Sequence, residues 1–488
     1  MNNKSDDISI DLKLNIAKLN DTFRDCMDLA GRDIYLRDNT EGYLFYIKGL
    51  ADEAAVQRDF ITPILDMEFS DFLDKTKVCK LPTINLLIFK DFKEIIQAIL
   101  SGKTIIILDG LNYALGCSLT QFEKRSITEP EVEKGAKGSH EGFVEVVDTN
   151  ISMLRRRINS SKLKLKGYRL GETTSQKVVL GYMEGIANPE ILKVLDGKIK
   201  SIDYDGLLAA GYIQHIITDF PNSIFPQYRM TERPDVAEKA LLDGSFVIML
   251  DGTPGALIAP VSLMSFFTTI DDYSSHWISG STIRFLRVFG AIISVTLPAI
   301  YVALTTFHFY MVPYSLLIPL AISRSKVPFS PVVEGIIMGL VLEALRESAI
   351  RLPTYISASI GVIGGIILGQ AVVSAGIVSN LFIIVIAITA ITSYMIPTYD
   401  LEVALRSMRA AFMIAAAALG ILGIMVCISL LLIKFVTLES LGQPYLQPFS
   451  PLKLRDLRDS IVRLPIGVLK KRPDVAEPKD KIRGKNNG

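Results

Sequence analysis

From Val288 to Val436 long uncharged runs dominate the chain, whereas up to about Phe285 charged residues recur every few positions. The averages, 49% hydrophobic residues and a mean hydropathy of +0.35 over 488 residues, hide this division. After Val436 the chain turns polar again and is rich in Pro, Lys and Arg. A water-soluble region, a helical membrane region and a short tail are therefore expected. The expected boundaries are an α/β subdomain over 1–145, a second over 146–265, a juxtamembrane linker over 266–286, a helical membrane domain over 287–436 and a tail over 437–488.

Charge excludes one broad class and orients the rest. The net charge is +1, which offers no case for nucleic acid. In the tail, basic residues outnumber acidic ones, and basic flanks stay on the cytoplasmic side, where anionic headgroups attract them. The first residues lack an apolar stretch of the kind a secretory signal needs, so the soluble region is expected on the cytoplasmic side. Cys26, Cys79, Cys117 and Cys427 are far apart in sequence, with no metal or redox spacing, and read as buried thiols. The tail is read as disordered, and the second copy of RPDVAE (233–238 and 472–477) as a coincidence.

In the soluble half, TINLLIF, FKEIIQAIL and TIIILDG read as strand, helix and strand. GKTIIILDG (102–110) is echoed by GSFVIMLDG (244–252), each a turn, an apolar strand and an Asp-Gly turn, which points to two related subdomains. A Gly- and charge-rich loop (129–143) lies between them. Arg155, Arg156 and Arg157 follow it without aromatic interleaving, as at a solvated helix end or a subunit contact.

Four membrane spans are expected, at Arg287 to Met311, Ile356 to Gly376, Ile377 to Ile396 and Ala410 to Phe435. Each has about 20 residues of low polarity, enough for a ~30 Å hydrocarbon core. YSLLIPLAIS (314–323) is too short and reads as interfacial or re-entrant. Four crossings return the tail to the cytoplasmic side but leave Arg406 and Arg409 on the other, against the positive-inside tendency.

No catalytic signature is complete, and neither enzyme nor cofactor is expected. SGKT (101–104) resembles the end of a phosphate-binding loop, but position 97 is Gln97 and a strand follows where a helix is required. His140, His215, His276 and His308 form no ligand spacing. The informative segments are two helices. Glu343, Arg346, Glu347 and Arg351 charge one of them, and charges in a bilayer pair or face water. That helix reads as a polar vestibule, a subunit contact or an interfacial helix. The next carries Ser357, Gly361, Gly364, Gly365 and Gly369 at three- or four-residue spacing, which permits close helix packing. It would alternatively line a pore through Val362, Ile363, Gly365, Ile366, Gly369 and Gln370.

The strings EGFVEVVDTNISMLRRRI (141–158), TERPD (231–235), LDGTPGALIAP (250–260), LPAIYVALTTFH (297–308), PFSPVVEGIIMGLVLEALRESAIRLP (328–353), IGVIGGIILGQAVVSAGIVS (360–379) and LGQPYLQPFSP (441–451) closely resemble the A subunit of the GerA-family spore germinant receptors. Between Asp271 and Trp277 the sequence departs from the family's acidic-Asp-Tyr-Tyr string, with Ser274, Ser275 and His276 after Tyr273. The resemblance implies a multi-pass protein of the spore inner membrane whose soluble region faces the spore core. Its partners would be a transporter-like B subunit that senses nutrient, a lipoprotein C subunit and further copies of itself. Together these copies would form a nutrient-gated cation channel. The competing reading is a non-conducting scaffold that organises the B and C subunits. Arg233, Pro234, Asp235, Asp251 and Pro254 are expected to hold structure or assembly, through proline-fixed turns and carboxylates that accept backbone N–H groups.

Overall fold

A computed structural model describes residues 7–73, 86–120, 130, 133, 135, 137–351 and 369–484. The first sheet follows helix α1 (Leu12–Thr22) and contains β1 (Leu29–Tyr35), β2 (Glu41–Ile47), β3 (Leu86–Phe89), β4 (Thr104–Leu108) and β5 (Ala114–Cys117), with α2 (Phe92–Leu100) between β3 and β4. Its order is β1-β2-β4-β5-β3, with every neighbouring pair antiparallel. The expected strand–helix–strand unit is β3–α2–β4, a split crossover with β5 inserted between its two strands. The run TIIIL has no polar alternation because both faces of β4 are covered. Ile105 and Ile107 pack with Phe92, Ile95 and Ile99 on one side, while Ile106 and Leu108 pack with Phe60 and Ile64 on the other.

The second sheet repeats this plan. It follows α3 (Val147–Arg157) and contains β6 (Leu163–Leu170), β7 (Gln176–Met183), β8 (Arg229–Thr231), β9 (Phe246–Leu250) and β10 (Ala256–Ala259). Helices α4 (Pro189–Lys200) and α5 (Ala210–Ile217) are inserted after β7, and α6 (Pro234–Leu242) precedes β9. Its order, β6-β7-β9-β10-β8, matches the first position by position. The echoed sequences are β4 and β9 with their flanking turns.

The duplication extends to single hydrogen bonds. Before each echoed strand, Gly102 and Gly244 take positive φ of 81° and 96° and end α2 and α6. In both, the glycine N–H and the next N–H reach back to helix carbonyls: Gly102 to Ile99 and Lys103 to Ala98, Gly244 to Leu241 and Ser245 to Ala240. That pattern is the paired bonding of a glycine-terminated helix. After each strand, Asp109 accepts the Leu12 N–H at 3.1 Å and Asp251 that of Val147 at 3.0 Å, each at a helix start. Gly110 and Gly252 donate to Ile10 and Glu145. Buried Asn15 brackets the backbone of Ser9 as Asn150 does that of Val144.

The two sheets are joined by a buried ion pair. Arg155 and Asp28, 0% and 4% exposed, form a two-bond pair at 2.8 and 2.9 Å, and Arg155 also donates to the carbonyls of Ser160 and Leu163. Burial alone would lower the Arg155 pKa, and Asp28 outweighs it and raises it. The solvated helix end expected at Arg155 is corrected here: its charge is satisfied internally, and only Arg156 and Arg157 turn outward, to Glu141.

The helical half comprises α7 (Ile270–Ser274), α8 (Trp277–Thr306), α9 (Tyr314–Ser325), α10 (Pro331–Arg351), α11 (Gly369–Ser374), α12 (Asn380–Ser393), α13 (Tyr399–Leu419) and α14 (Ile421–Thr437). Among the described residues only α8 is long and apolar enough to cross a membrane; α12 and α14 are shorter apolar helices. The first expected span begins earlier than its apolar run, at Trp277, because Arg284 and Arg287 find carboxylate partners. Most of the span expected at 356–376 lies outside the described residues. The span expected at 377–396 is a 14-residue helix. The span expected at 410–435 is not one helix: Gly420, at φ 63°, breaks it, and α14 folds back on α13. Gly423 lies so close to the Ala415 carbonyl that a side chain there would strike backbone.

One apolar core runs without interruption from the second sheet (Val179, Val247, Met249) through Phe266 and Phe267 to Val295, Val302, Leu401 and Phe412. The tail is folded rather than disordered. Tyr445 is fully buried, Arg472 donates to the Leu242 carbonyl at 2.7 Å, and Lys479 N–H bonds the Ile186 carbonyl. The second RPDVAE thus closes the C-terminal end of the helix that the first one opens.

Breaking the Asp28–Arg155 pair by Asp28→Ala strands a buried guanidinium and is expected to cost about 3–5 kcal/mol, with Asp28→Leu/Arg155→Met recovering most of it. Denaturant unfolding of the purified chain reads both, and a negligible loss for Asp28→Ala contradicts this account of the joint.

Candidate functional site

Pro298 lies inside α8 and has no N–H to offer the Ser294 carbonyl one turn back. Arg409 of α13 takes that carbonyl instead, at 3.0 Å, and donates to the Ser393 hydroxyl of α12 at 2.7 Å. Three helices are tied through one buried guanidinium. The face of α8 turned inward carries Gly290, Ala291, Ser294, Ala299 and Ala303, small enough for backbones to approach closely.

A second polar seam runs between α10 and α13. Arg346 meets Glu402 at 2.6 Å and Arg406 meets Glu343 at 3.2 Å, each helix supplying one acid and one base. Arg346 also lies 4.9 Å from the centre of the Tyr394 ring. Nearby, fully buried Glu334 of α10 accepts the Ser379 N–H at the start of α12 at 2.9 Å and faces Arg324 at 3.7 Å. The Ser379 hydroxyl bonds that of Tyr301 in α8.

The third cluster is where α8 leaves the soluble region. Asp272, 1% exposed, pairs with Arg284 at 3.2 Å and Arg287 at 2.8 Å. Arg284 continues to the Asp459 carboxylate and the carbonyls of Asp459 and Ser460 in the tail. Arg463 of the tail donates to the carbonyls of Asp272 and Ser275. Burial pushes the Tyr273 phenol up, opposed by Lys239, so the hydroxyl keeps its proton and donates to Asp459. Gly280 sits against the Asp272 carbonyl, where a side chain would not fit.

A family model described as Bacillus/Clostridium GerA spore germination protein matches residues 17–475. The chain belongs to the GerA family. It is 36% identical over 485 residues to spore germination protein KA of Bacillus subtilis, covering 98% of this chain and 88% of that one. It is 37% identical over 448 residues to spore germination protein GerQA of Bacillus cereus, covering 91% and 89%. It is also 33% identical to a Bacillus subtilis protein described as uncharacterized membrane protein YfkQ, over 96% and 92%. The crystal structure of the N-terminal domain of the A subunit of the Bacillus megaterium spore germinant receptor GerK3 aligns with a TM-score of 0.41 at 27% identity, covering 52% of this chain and 96% of that one.

In this GerA-family chain the charged-helix residues separate. Glu343 and Arg346 turn to α13, while Glu347 pairs with Arg351 on the exposed side. Glu343 and Glu402 also supply the carboxylates facing Arg406 and Arg346. Of the small-residue helix, Val362, Ile363, Gly365 and Ile366 lie outside the described residues. Gly369 has open space where a Cβ would stand, and Gln370 is exposed.

Arg233 forms a two-bond pair with Asp235 at 3.0 and 2.8 Å and donates to the carbonyls of Glu133 and Ser139, so these two residues of the charged loop are tied to its guanidinium. Pro234 opens α6. Pro254 lies in the β9–β10 turn that Asp251 anchors to α3. Sequence reasoning did not single out Arg409, Asp272 or Asp459 as site residues. Pro298 was the available signal for the first, since a proline in a long apolar helix leaves a carbonyl in want of a donor.

Arg409→Met should lower the thermal midpoint of the detergent-solubilised chain, and adding Pro298→Ala should return about 1–2 kcal/mol, because the alanine N–H supplies the missing bond. Strictly additive effects would show that Arg409 and Pro298 are not coupled.

Proposed function

We propose that this chain is the A subunit of a nutrient-responsive spore germinant receptor and that copies of it form a nutrient-gated cation channel in the spore inner membrane. The observation that carries this reading is the pairing of every α10–α13 seam charge inside a bundle whose outer helices expose large apolar side chains. Ile283, Phe285, Leu286, Phe289 and Ile292 of α8 and Leu422, Met425, Val426 and Leu430 of α14 are exposed. Such surfaces suit lipid, and matched charges are the form in which ionisable groups are tolerated there. The soluble region and tail, packed on each other, lie on one side, taken as the spore-core side. The partners are the transporter-like B subunit, the lipoprotein C subunit and further copies of this chain.

In this scheme Val362, Ile363, Gly365, Ile366, Gly369 and Gln370 line the path. Glu343, Arg346, Glu347 and Arg351 form its vestibule helix, and Arg233, Pro234, Asp235, Asp251 and Pro254 keep the soluble region rigid for assembly. Nutrient bound on the B subunit would open the path by favouring one of two states, which demands different affinity for each. The chain reconstituted in vesicles with its partners should release potassium on nutrient addition. Val362→Ser should raise the basal leak and a bulky Gly365→Leu should suppress release. An intact oligomer that conducts under no condition, with both substitutions silent, replaces the channel by a non-conducting scaffold.

A further inference from the structure

The folded tail contains a cavity of about 430 Å³ whose wall carries Arg455, Arg458, Lys470, Lys471 and Arg483 against two carboxylates, Asp456 and Asp459. Both carboxylates are already engaged: Asp459 by Arg284 and Tyr273, Asp456 by the Asp474 N–H. Ion pairs within the tail and to Asp243 take up Lys453, Arg472, Lys481 and Arg483. Arg455, Arg458, Lys470 and Lys471 have no such partner among the described residues, and one Arg455 nitrogen is buried without an acceptor. Four cations without a close ion pair among the described residues therefore share one wall, Arg455 acting on Asp456 through its charge alone.

The rim of this cavity is aliphatic. Leu454 and Val468 line it, and they are exposed, as are Leu452 and Ile466 beside them. Its level is fixed by α8, since the tail meets that helix at Ser281 and Arg284. There the exposed side of α8 turns apolar, at Ile283, Phe285 and Leu286. Cations flanked by exposed aliphatic side chains at the foot of an apolar helix match the boundary between headgroups and acyl chains.

We propose that this cavity holds the phosphate of an anionic phospholipid in the membrane that α8 enters, with Arg455, Arg458, Lys470 and Lys471 as its contacts. The site rests on the membrane reading above. Because Asp459 belongs both to the cavity and to the Arg284 cluster, bound lipid would brace the joint between the tail and α8. An acidic protein surface would satisfy the cations but gives no reason for aliphatic side chains at this depth.

The full chain in phosphatidylcholine nanodiscs, titrated with phosphatidylglycerol and followed by thermal unfolding, tests this. Each cation near a lipid surface is worth about fivefold in binding. Arg455→Gln/Lys471→Gln should raise the half-saturating mole fraction about tenfold or more, or abolish saturation. Arg458→Gln/Lys470→Gln, at exposed positions whose loss does not threaten folding, should do the same. Lys193→Gln/Lys479→Gln removes equal charge away from the cavity and should leave the titration unchanged.

Wild-type titration by either cavity variant, or an equal effect of the Lys193/Lys479 control, overturns the site. So does equal stabilisation by millimolar inorganic phosphate in phosphatidylcholine alone, which would make the cavity a free-phosphate site. Alkaline carbonate extraction is read separately. A wild-type chain that carbonate releases refutes the membrane reading, whereas a retained chain with no phosphatidylglycerol response refutes only the lipid site.

Discussion

The Asp272 carboxylate sits almost wholly out of water between two arginines of α8, while its backbone carbonyl accepts a bond from a third arginine in the tail. Removing a charge from water is costly, and such a group persists only where partners and further hydrogen bonds replace the lost hydration. Here Asp272 has Arg284, Arg287 and the Thr269 hydroxyl, and Arg284 has Asp459 with two tail carbonyls. The linker, the long helix and the tail, distant in sequence, converge on this cluster. The small residue at Gly280 lets them do so, because nothing larger fits against the Asp272 carbonyl.

The helical half solves the same problem twice more. Arg409 answers a carbonyl that Pro298 leaves open, and α10 and α13 exchange one acid and one base each. The arginines that seemed to violate the positive-inside tendency, Arg406 and Arg409, are committed to partners within the bundle. A charge count over loops misjudges residues whose charge is already matched inside the fold.

What the sequence disclosed follows the range of the interaction. The repeat of GKTIIILDG in GSFVIMLDG was legible because a turn glycine, a buried strand and an Asp-Gly turn are all encoded within nine residues. The matching roles of Asn15 and Asn150 were not, since each bonds a backbone six residues before it and the residues around the two asparagines differ; the Asp-Gly turns that hold the same two helix starts lie about 100 residues away. The charged character of α10 was plain, but its partners Glu402 and Arg406 lie on another helix. The tail is folded although its proline and lysine content imitates a disordered segment. Arg463 and Arg472 bury themselves by bonding backbone carbonyls, and composition carries no trace of that.

The unbroken core between the second sheet and α8 has a mechanical meaning. Interiors packed this closely are stiff and transmit displacement instead of absorbing it. Val247 and Met249 in the sheet share one continuous packing network with Val295 and Val302, in the second half of the helix. A rotation of the second sheet would therefore turn α8 with it, with no slack between them. The first sheet is held through a smaller joint, the Asp28–Arg155 pair with the bonds of Lys164 to Thr22, Tyr182 to Asp25 and Cys26 to Leu163, and is the part better able to tilt independently. Soluble and helical halves are thus a handle and its shaft, and the compliance of the molecule is placed at the far end of the handle.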